Sequence, residues 1–309
     1  RARDVSEGHC AATCTMVRKV LEGEGIERVS DLTASRVQNF IGQLKAEGRS
    51  HCTCNRYITA IKTFGKWLAT EGRAREHALA TVGLFNVDRD PRHTRRDPTD
   101  AELAMLIEVT RTRDLERGMR GVDRAMLYEV AASTGFRAKE LRSLTPSSFT
   151  LDADPPKVTV DAAYAKAGRT DHQPIGRGLA ERLRPWLADK AHGEPVFVRM
   201  PVNTARTLRW DLSAARAQWI DKAGGEQERM AREASDFLAY EDAEGRVLDF
   251  HALRGAFISR VERSGATVKT LQALARHADP GLTLKRYARV NREDEVRAVE
   301  AMPSFGGDE

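Results

Sequence analysis

The sequence predicts a mainly α-helical chain with one small antiparallel sheet, an α+β arrangement spread over two domains. Three observations carry this. Apolar residues recur at helical spacing through most of the chain. Three short strand-like runs, bounded by turn signals, fall between residues 148 and 175. A stretch dense in charge and proline, residues 88–98, separates two helical patterns, and a length of 309 residues favours two domains over one.

In chain order, Met16, Val17, Val20 and Leu21 give the first helical stripe, which stops at Gly23. Val37, Phe40, Ile41 and Leu44 give the second, ending at Gly48. Tyr57, Ile61, Phe64, Trp67 and Leu68 give the third, ending at Gly72, and a shorter fourth helix is expected over 76–82. After the charged stretch, Thr99 and Glu102 form a capping box ahead of Leu103, Leu106 and Ile107. A further helix covers about 122–133, is broken at Thr134-Gly135-Phe136, and resumes at Ala138. Strands fit 148–151, 157–162 and 171–175, with turns at Asp154-Pro155-Pro156 and Ala167-Gly168. Helices return at 179–188, about 204–221 and about 227–238, a hairpin is expected over 240–250, and helices carrying Arg254, Leu271 and Tyr287 close the chain.

Composition narrows the function classes. No run of 18 apolar residues exists, so no membrane span is expected. The net charge is +5, but its distribution matters more than its size. Residues 36–75 carry eight basic side chains and two acidic ones, whereas the tail after Tyr287 is net acidic. A basic block of this kind suits a polyanion, with a merely solvated surface as the bland alternative. Arg56, Lys62 and Lys66 lie largely off the apolar stripe of the third helix and are candidate phosphate contacts. Arg92, Arg95 and Arg96 suit a strap along a DNA backbone. Cys10, Cys14, Cys52 and Cys54 all fall early in the chain, beside His9 and His51. They lack a C-x2-C pair, so reduced thiols on helix faces are expected rather than a metal site. No phosphate-binding loop or metal-protease motif appears, so no cofactor is expected.

Five segments of the second half carry chemistry together. They are Thr134-Gly135-Phe136-Arg137-Ala138-Lys139-Glu140-Leu141; Ala165-Lys166-Ala167-Gly168 leading to Pro174-Ile175-Gly176; His251-Ala252-Leu253-Arg254; Leu274-Ala275-Arg276-His277; and Tyr287 ten residues after that histidine. In this order and at these separations they resemble the tyrosine recombinase family of phage-integrase type, whose patterns are T-G-x-R-x-x-E-L, a lysine on a strand-turn-strand, H-x-L-R, L-G-H and a tyrosine nucleophile. Three departures stand out. Gly255 replaces a second histidine that many members have, Arg276 replaces the glycine of L-G-H, and the gap to Tyr287 is one residue longer than in many members.

The resemblance implies a helical, SAM-like core-binding domain over 1–87, an Arg-rich linker over 88–98 and a catalytic domain with a C-terminal tail over 99–309. It implies cleavage and rejoining of double-stranded DNA through a 3′-phosphotyrosyl intermediate, exchange of strands by way of a Holliday junction, and a homotetramer on DNA whose tail docks on a neighbouring subunit. A cytoplasmic, nucleoid-associated location in a prokaryote goes with it. Elementary chemistry agrees with the roles. A free phenol has a pKa of about 10 and attacks poorly unless cations or a base favour its phenolate. Arg137 and Arg254 supply fixed paired donors for a phosphate. Lys166 is the expected acid for the departing 5′ oxygen, His251 the group that moves the tyrosine proton, His277 a donor to a non-bridging oxygen, and Glu140 an orienting group. Each residue alone has a bland reading as a surface charge, core histidine or half-buried aromatic. Two rivals stay open: a type IB topoisomerase, which nicks and reseals without junctions, and a DNA-binding module that has lost catalysis.

Overall fold

The structure, a computed structural model, describes residues 7–116, 118–164, 168–277, 279–281, 283 and 300. The chain divides into two compact units, Arg1–His93 and Thr94–Glu309, so the division falls inside the stretch read from sequence as a linker. Neither half of that stretch is loose. Asp90 accepts from His51 N at 2.8 Å, and Arg92 Nη1 donates to Gly48 O at 3.3 Å. In the other unit, Val247 N donates to Thr94 O at 2.9 Å and Arg96 N donates to Val247 O at 3.1 Å. Backbone pairing satisfies these groups where a free linker would leave them to water.

The first unit consists of α1 (Glu7–Gly23), α2 (Ala34–Ala46) and α3 (His51–Thr70). Thr33 and Ser50 cap α2 and α3 by accepting from Arg36 N and Thr53 N. The predicted stripes meet in one core of Val20, Val37, Phe40, Ile41, Ile58, Ile61 and Leu68. The expected fourth helix over 76–82 does not form. That segment is a series of turns, with Ala80 N bonded to His77 O and Val82 N to Leu79 O, and it still buries Leu79 and Val82 in the core. Seven residues make a marginal helix. Lys62 Nζ caps the alternative by donating to Ala80 O at 3.0 Å and Val82 O at 2.6 Å. Cys54 is buried here, whereas Cys10, Cys14 and Cys52 are exposed.

The second unit is built around α5 (Gly121–Thr134), which is buried on nearly every face. Against it lie α4 (Asp100–Arg111), started by the predicted Thr99–Glu102 box, and α8 and α10, described below. After α6 (Ala138–Arg142) come β1 (Phe149–Thr150), β2 (Lys157–Val160) and β3 (Asp171–Pro174). They form an antiparallel sheet in the order β1-β2-β3, with Val158 opposite Gln173. Then follow α7 (Arg177–Ala188), α8 (Thr204–Asp221), α9 (Glu226–Ala234), α10 (Ala252–Arg263) and α11 (Val268–Ala275). The expected hairpin over 240–250 is a tight loop closed by a single Glu241–Val247 bridge, with Leu248 N bonded to Tyr240 O at 2.7 Å. No helix among the described residues is long and apolar enough to cross a membrane.

Candidate active site

The site starts from one glycine. Gly135 ends α5 in the left-handed region at φ 63, and a Cβ there would lie 2.5 Å from the Phe257 ring. Only glycine meets both demands. The α5–α6 turn therefore sits directly on α10, and Gly135 O comes within reach of Arg254 Nη1 at 2.5 Å. Arg254 is buried and also donates through Nη2 to Ala275 O at the end of α11. Two carbonyls from distant segments thus fix the direction of one guanidinium.

Arg137 begins α6 with extended backbone. Glu140, one turn on, reaches back to Arg137 N at 2.8 Å and also accepts from Arg137 Nη1 at 2.9 Å. The carboxylate is buried, while the Arg137 side chain keeps 26% of its surface in solvent. Glu140 thus holds both the backbone and the side chain of Arg137.

His251 stands at the head of α10. Asp249 Oδ1 accepts from His251 N at 3.0 Å and Ala252 N at 3.1 Å, tying down the first turn. Arg95 Nε in turn holds both Asp249 oxygens, at 2.9 and 2.8 Å. His251, Arg137, Phe136 and Asp249 line one small cleft. Partial loss of water around an imidazole that still reaches solvent, then the charges of Arg95 and Arg254, lower the His251 pKa below its ordinary value, with Asp249 opposing. The imidazole is therefore mostly neutral at pH 7 and able to accept a proton. His277 follows α11, where its Nδ1 lies 3.0 Å from Thr283 Oγ1. Lys166 and Tyr287 lie outside the described residues.

Arg137, Glu140, His251 and Arg254, which span more than a hundred positions of sequence, are brought together. The proposed DNA contacts fare unevenly. Arg56 and Lys66 are exposed on α3, as a phosphate contact requires. Lys62 is committed to its two carbonyls. Arg92 is paired with Asp90. Arg96 is not a free strap residue. Its Nη1 and Nη2 grip Glu102 at 3.1 and 2.8 Å, Nη2 also reaches Ala239 O at 2.7 Å, and only 11% of the side chain is exposed. A guanidinium taken this far out of water needs a fixed counter-charge, and Glu102 supplies it. Burial alone would raise the Glu102 carboxyl, but bonds from Arg96, Thr99 N and Leu238 N outweigh it and hold the group below its usual range. Arg95 is likewise engaged, with Asp249, and serves the head of α10. Asp249 was missed in the sequence, although an acidic residue just ahead of a helix is a recognisable capping signal. Arg276, noted there only as a departure, is buried among the site residues.

The model described as "Phage integrase family" matches residues 99–294, and that described as "Phage integrase, N-terminal SAM-like domain" matches residues 13–72. Among curated relatives, the tyrosine recombinase XerC of Azotobacter vinelandii is 28% identical over 268 residues, covering 85% of this chain and 78% of that protein. XerC of Pseudomonas putida is 26% identical and covers 91% and 85%. Among solved structures, the Tn1549 transposon integrase in complex with transposon right end DNA superposes with a TM-score of 0.68 at 14% identity, over 96% of this chain and 95% of that one. The lambda integrase dimer bound to a COC′ core site gives 0.64 at 15% identity, over 92% and 89%. At such identities the structural likeness speaks for the fold alone.

Proposed function

Because this chain belongs to the phage integrase family and is a tyrosine-type site-specific DNA recombinase, we propose that Tyr287 is its nucleophile and that Arg137, His251 and Arg254 form the described part of its active site. The observation that carries this is their convergence. One turn, through Gly135 O and Glu140, holds both guanidinium groups, and Arg137 lines a cleft together with the neutral imidazole of His251.

The chemistry follows from the charges. Tyr287 Oη attacks the phosphorus, and His251 accepts its proton. The two guanidinium groups hold the non-bridging oxygens as negative charge builds on them, with His277 as a further donor. The bond to the 5′ oxygen breaks, and Lys166 protonates that oxygen as it leaves. The product is a 3′-phosphotyrosyl link that a 5′-hydroxyl from a second duplex reverses, so strands are exchanged with no net loss of phosphodiester bonds. The chain's own side chains supply every group these steps use. Residues 1–87 bind the core site with Arg56 and Lys66 on its phosphates, and residues 99–309 perform the chemistry. Exchange at two sites takes four such centres, hence a homotetramer on DNA, with the tail docked on a neighbour. The setting is the cytoplasm of a prokaryote.

The test has two stages. Bound fragments are first selected from genomic DNA. A duplex carrying the selected site and a nick beside the cleavage position is then incubated with protein and denatured in SDS. The expected result is a covalent adduct mapping to Tyr287, absent from Tyr287→Phe even though that variant binds the duplex. An adduct that survives the substitution removes Tyr287 from its role.

A further inference from the structure

We propose that Arg276 is a positioning residue for DNA cleavage, holding Glu140, and through it Arg137, in register with Arg254. The inference rests on the recombinase reading above, but it concerns a residue that the family pattern does not supply, since glycine stands there in L-G-H.

The backbone is the first observation. Arg276 ends α11 at φ 52 and ψ 44, in the left-handed region. A residue with a Cβ is less stable than glycine in that conformation, because its Cβ crowds the following carbonyl oxygen. Such an exchange persists where the side chain returns something. The side chain is the second observation. Its guanidinium is 5% exposed and runs to three parts of the fold. Nη1 donates to Gln173 Oε1 on β3 at 3.0 Å and to Thr134 O at 3.4 Å. Nη2 donates to Gly135 O at 3.2 Å and to Glu140 Oε2 at 3.1 Å. Nε faces Asp171 on β3 at 3.7 Å, and the plane lies over the Phe136 ring at 4.3 Å.

Two of these partners are shared with the reacting guanidinium groups. Glu140 holds Arg137, and Gly135 O holds Arg254. Arg276 thus joins the turn carrying the first arginine, the helix end beside His277, and β3, the strand that follows Lys166 in the chain. Electrostatics adds to the geometry. One Glu140 carboxylate facing Arg137 alone would cancel much of its charge. Shared with Arg276, it cancels less, so more of the Arg137 charge is left for a phosphate. With Nε and both terminal nitrogens directed at protein acceptors, Arg276 acts through its neighbours rather than on the phosphate itself.

Two variants test this. Arg276→Gly suits the left-handed backbone and removes the guanidinium without strain, and Arg276→Lys keeps a charge without the fork. Single-turnover adduct formation on the nicked duplex is measured beside DNA affinity and Tm. Arg276→Gly is expected to bind the duplex as the parent does and to form adduct slower on the order of 10²-fold, the scale of a misplaced reacting group. Added guanidinium ion should restore part of the rate, and Arg276→Lys should fall between. Introducing Glu140→Gln into Arg276→Gly should cost less than the product of the two single losses, since both disturb the Arg276–Glu140 contact. Parental rates in Arg276→Gly overturn the proposal. So does a loss explained by a lower Tm, with no guanidinium rescue and full additivity with Glu140→Gln. If the parent protein itself forms no adduct, the recombinase reading fails and takes this inference with it.

Discussion

Two of the arginine–carboxylate clusters in the catalytic unit are built to opposite ends. In the first, Arg124 grips Asp211 with Nε and Nη2 at 2.9 and 3.1 Å, and both side chains are fully buried. Its Nη1 donates to Asp114 O and Met119 O, and Tyr128 donates its phenol proton to Asp211 at 2.7 Å. Burial, then the Asp211 charge, pushes that phenol well above its ordinary pKa. Here is a tyrosine beside arginines that is locked as a proton donor, the reverse of a nucleophile. In the second cluster, Arg137 shares Glu140 with Arg276 and keeps a quarter of its surface in solvent at the mouth of a cleft. Arg254 is aimed by the carbonyls of Gly135 and Ala275, and a carbonyl fixes direction without cancelling a unit charge. Residue types alone do not separate a structural knot from a reaction site. The separation comes from where the donors end and whether the cation opens onto a cleft.

Removing a cation from each cluster breaks or sharpens that contrast. The largest effect on stability is expected for Arg124→Ala, which leaves the buried Asp211 charge to the Tyr128 phenol and to Arg113 at 3.4 Å and should cost about 3 kcal/mol. Chemical denaturation reads it directly, and the molecules that remain folded should cleave the nicked duplex at the parental rate. Arg254→Lys should do the opposite. It keeps the charge but not the planar fork, so DNA binding stays while adduct formation falls about 10²–10³-fold. If Arg124→Ala slowed folded protein as much as Arg254→Lys, the division between a closed and an open cluster would be lost.

The motifs proposed for this site, such as His251-Ala252-Leu253-Arg254, are legible in the sequence because residue type and spacing carry them. The small sheet was legible for a similar reason, since turn residues bound each strand. What stayed hidden depends on pairing across long sequence distances. Arg96 and Glu102 are six residues apart, yet the Ala239 carbonyl that completes their knot is 143 positions from Arg96. Local charge density cannot distinguish a solvated arginine from a paired one. Lys62 shows the same blindness on a helix, where a surface-facing position proved to be a cap for turns 18 and 20 residues away. Those turns replaced the expected fourth helix because the spacing of Leu79 and Val82 suits a turn as well as a short helix. Arg276 was visible only as a missing glycine, and its partners on β3 and α6 come from the fold.

The smallest expected effect is a displacement of a pH profile, and it tests whether the open cluster acts electrostatically on His251. Partial desolvation, Arg95 and Arg254 all disfavour its protonated form, so its folded pKa lies below the unfolded value of about 6.5. The unfolded chain then binds more protons in the window between the two values. Stability from this group is therefore fully present above about pH 6.5 and is lost as pH falls through the folded pKa. For catalysis, the neutral imidazole survives into more acidic solution than an ordinary histidine would. Single-turnover cleavage should hold its rate below pH 6.5 before an acid limb appears, and His251→Gln should lack that limb. Arg95→Gln removes one of the cations and should move the limb upward, toward the ordinary value. A limb at or above about 6.5 in the parent protein, or one indifferent to Arg95, would mean that the charges gathered at the cleft do not govern the histidine.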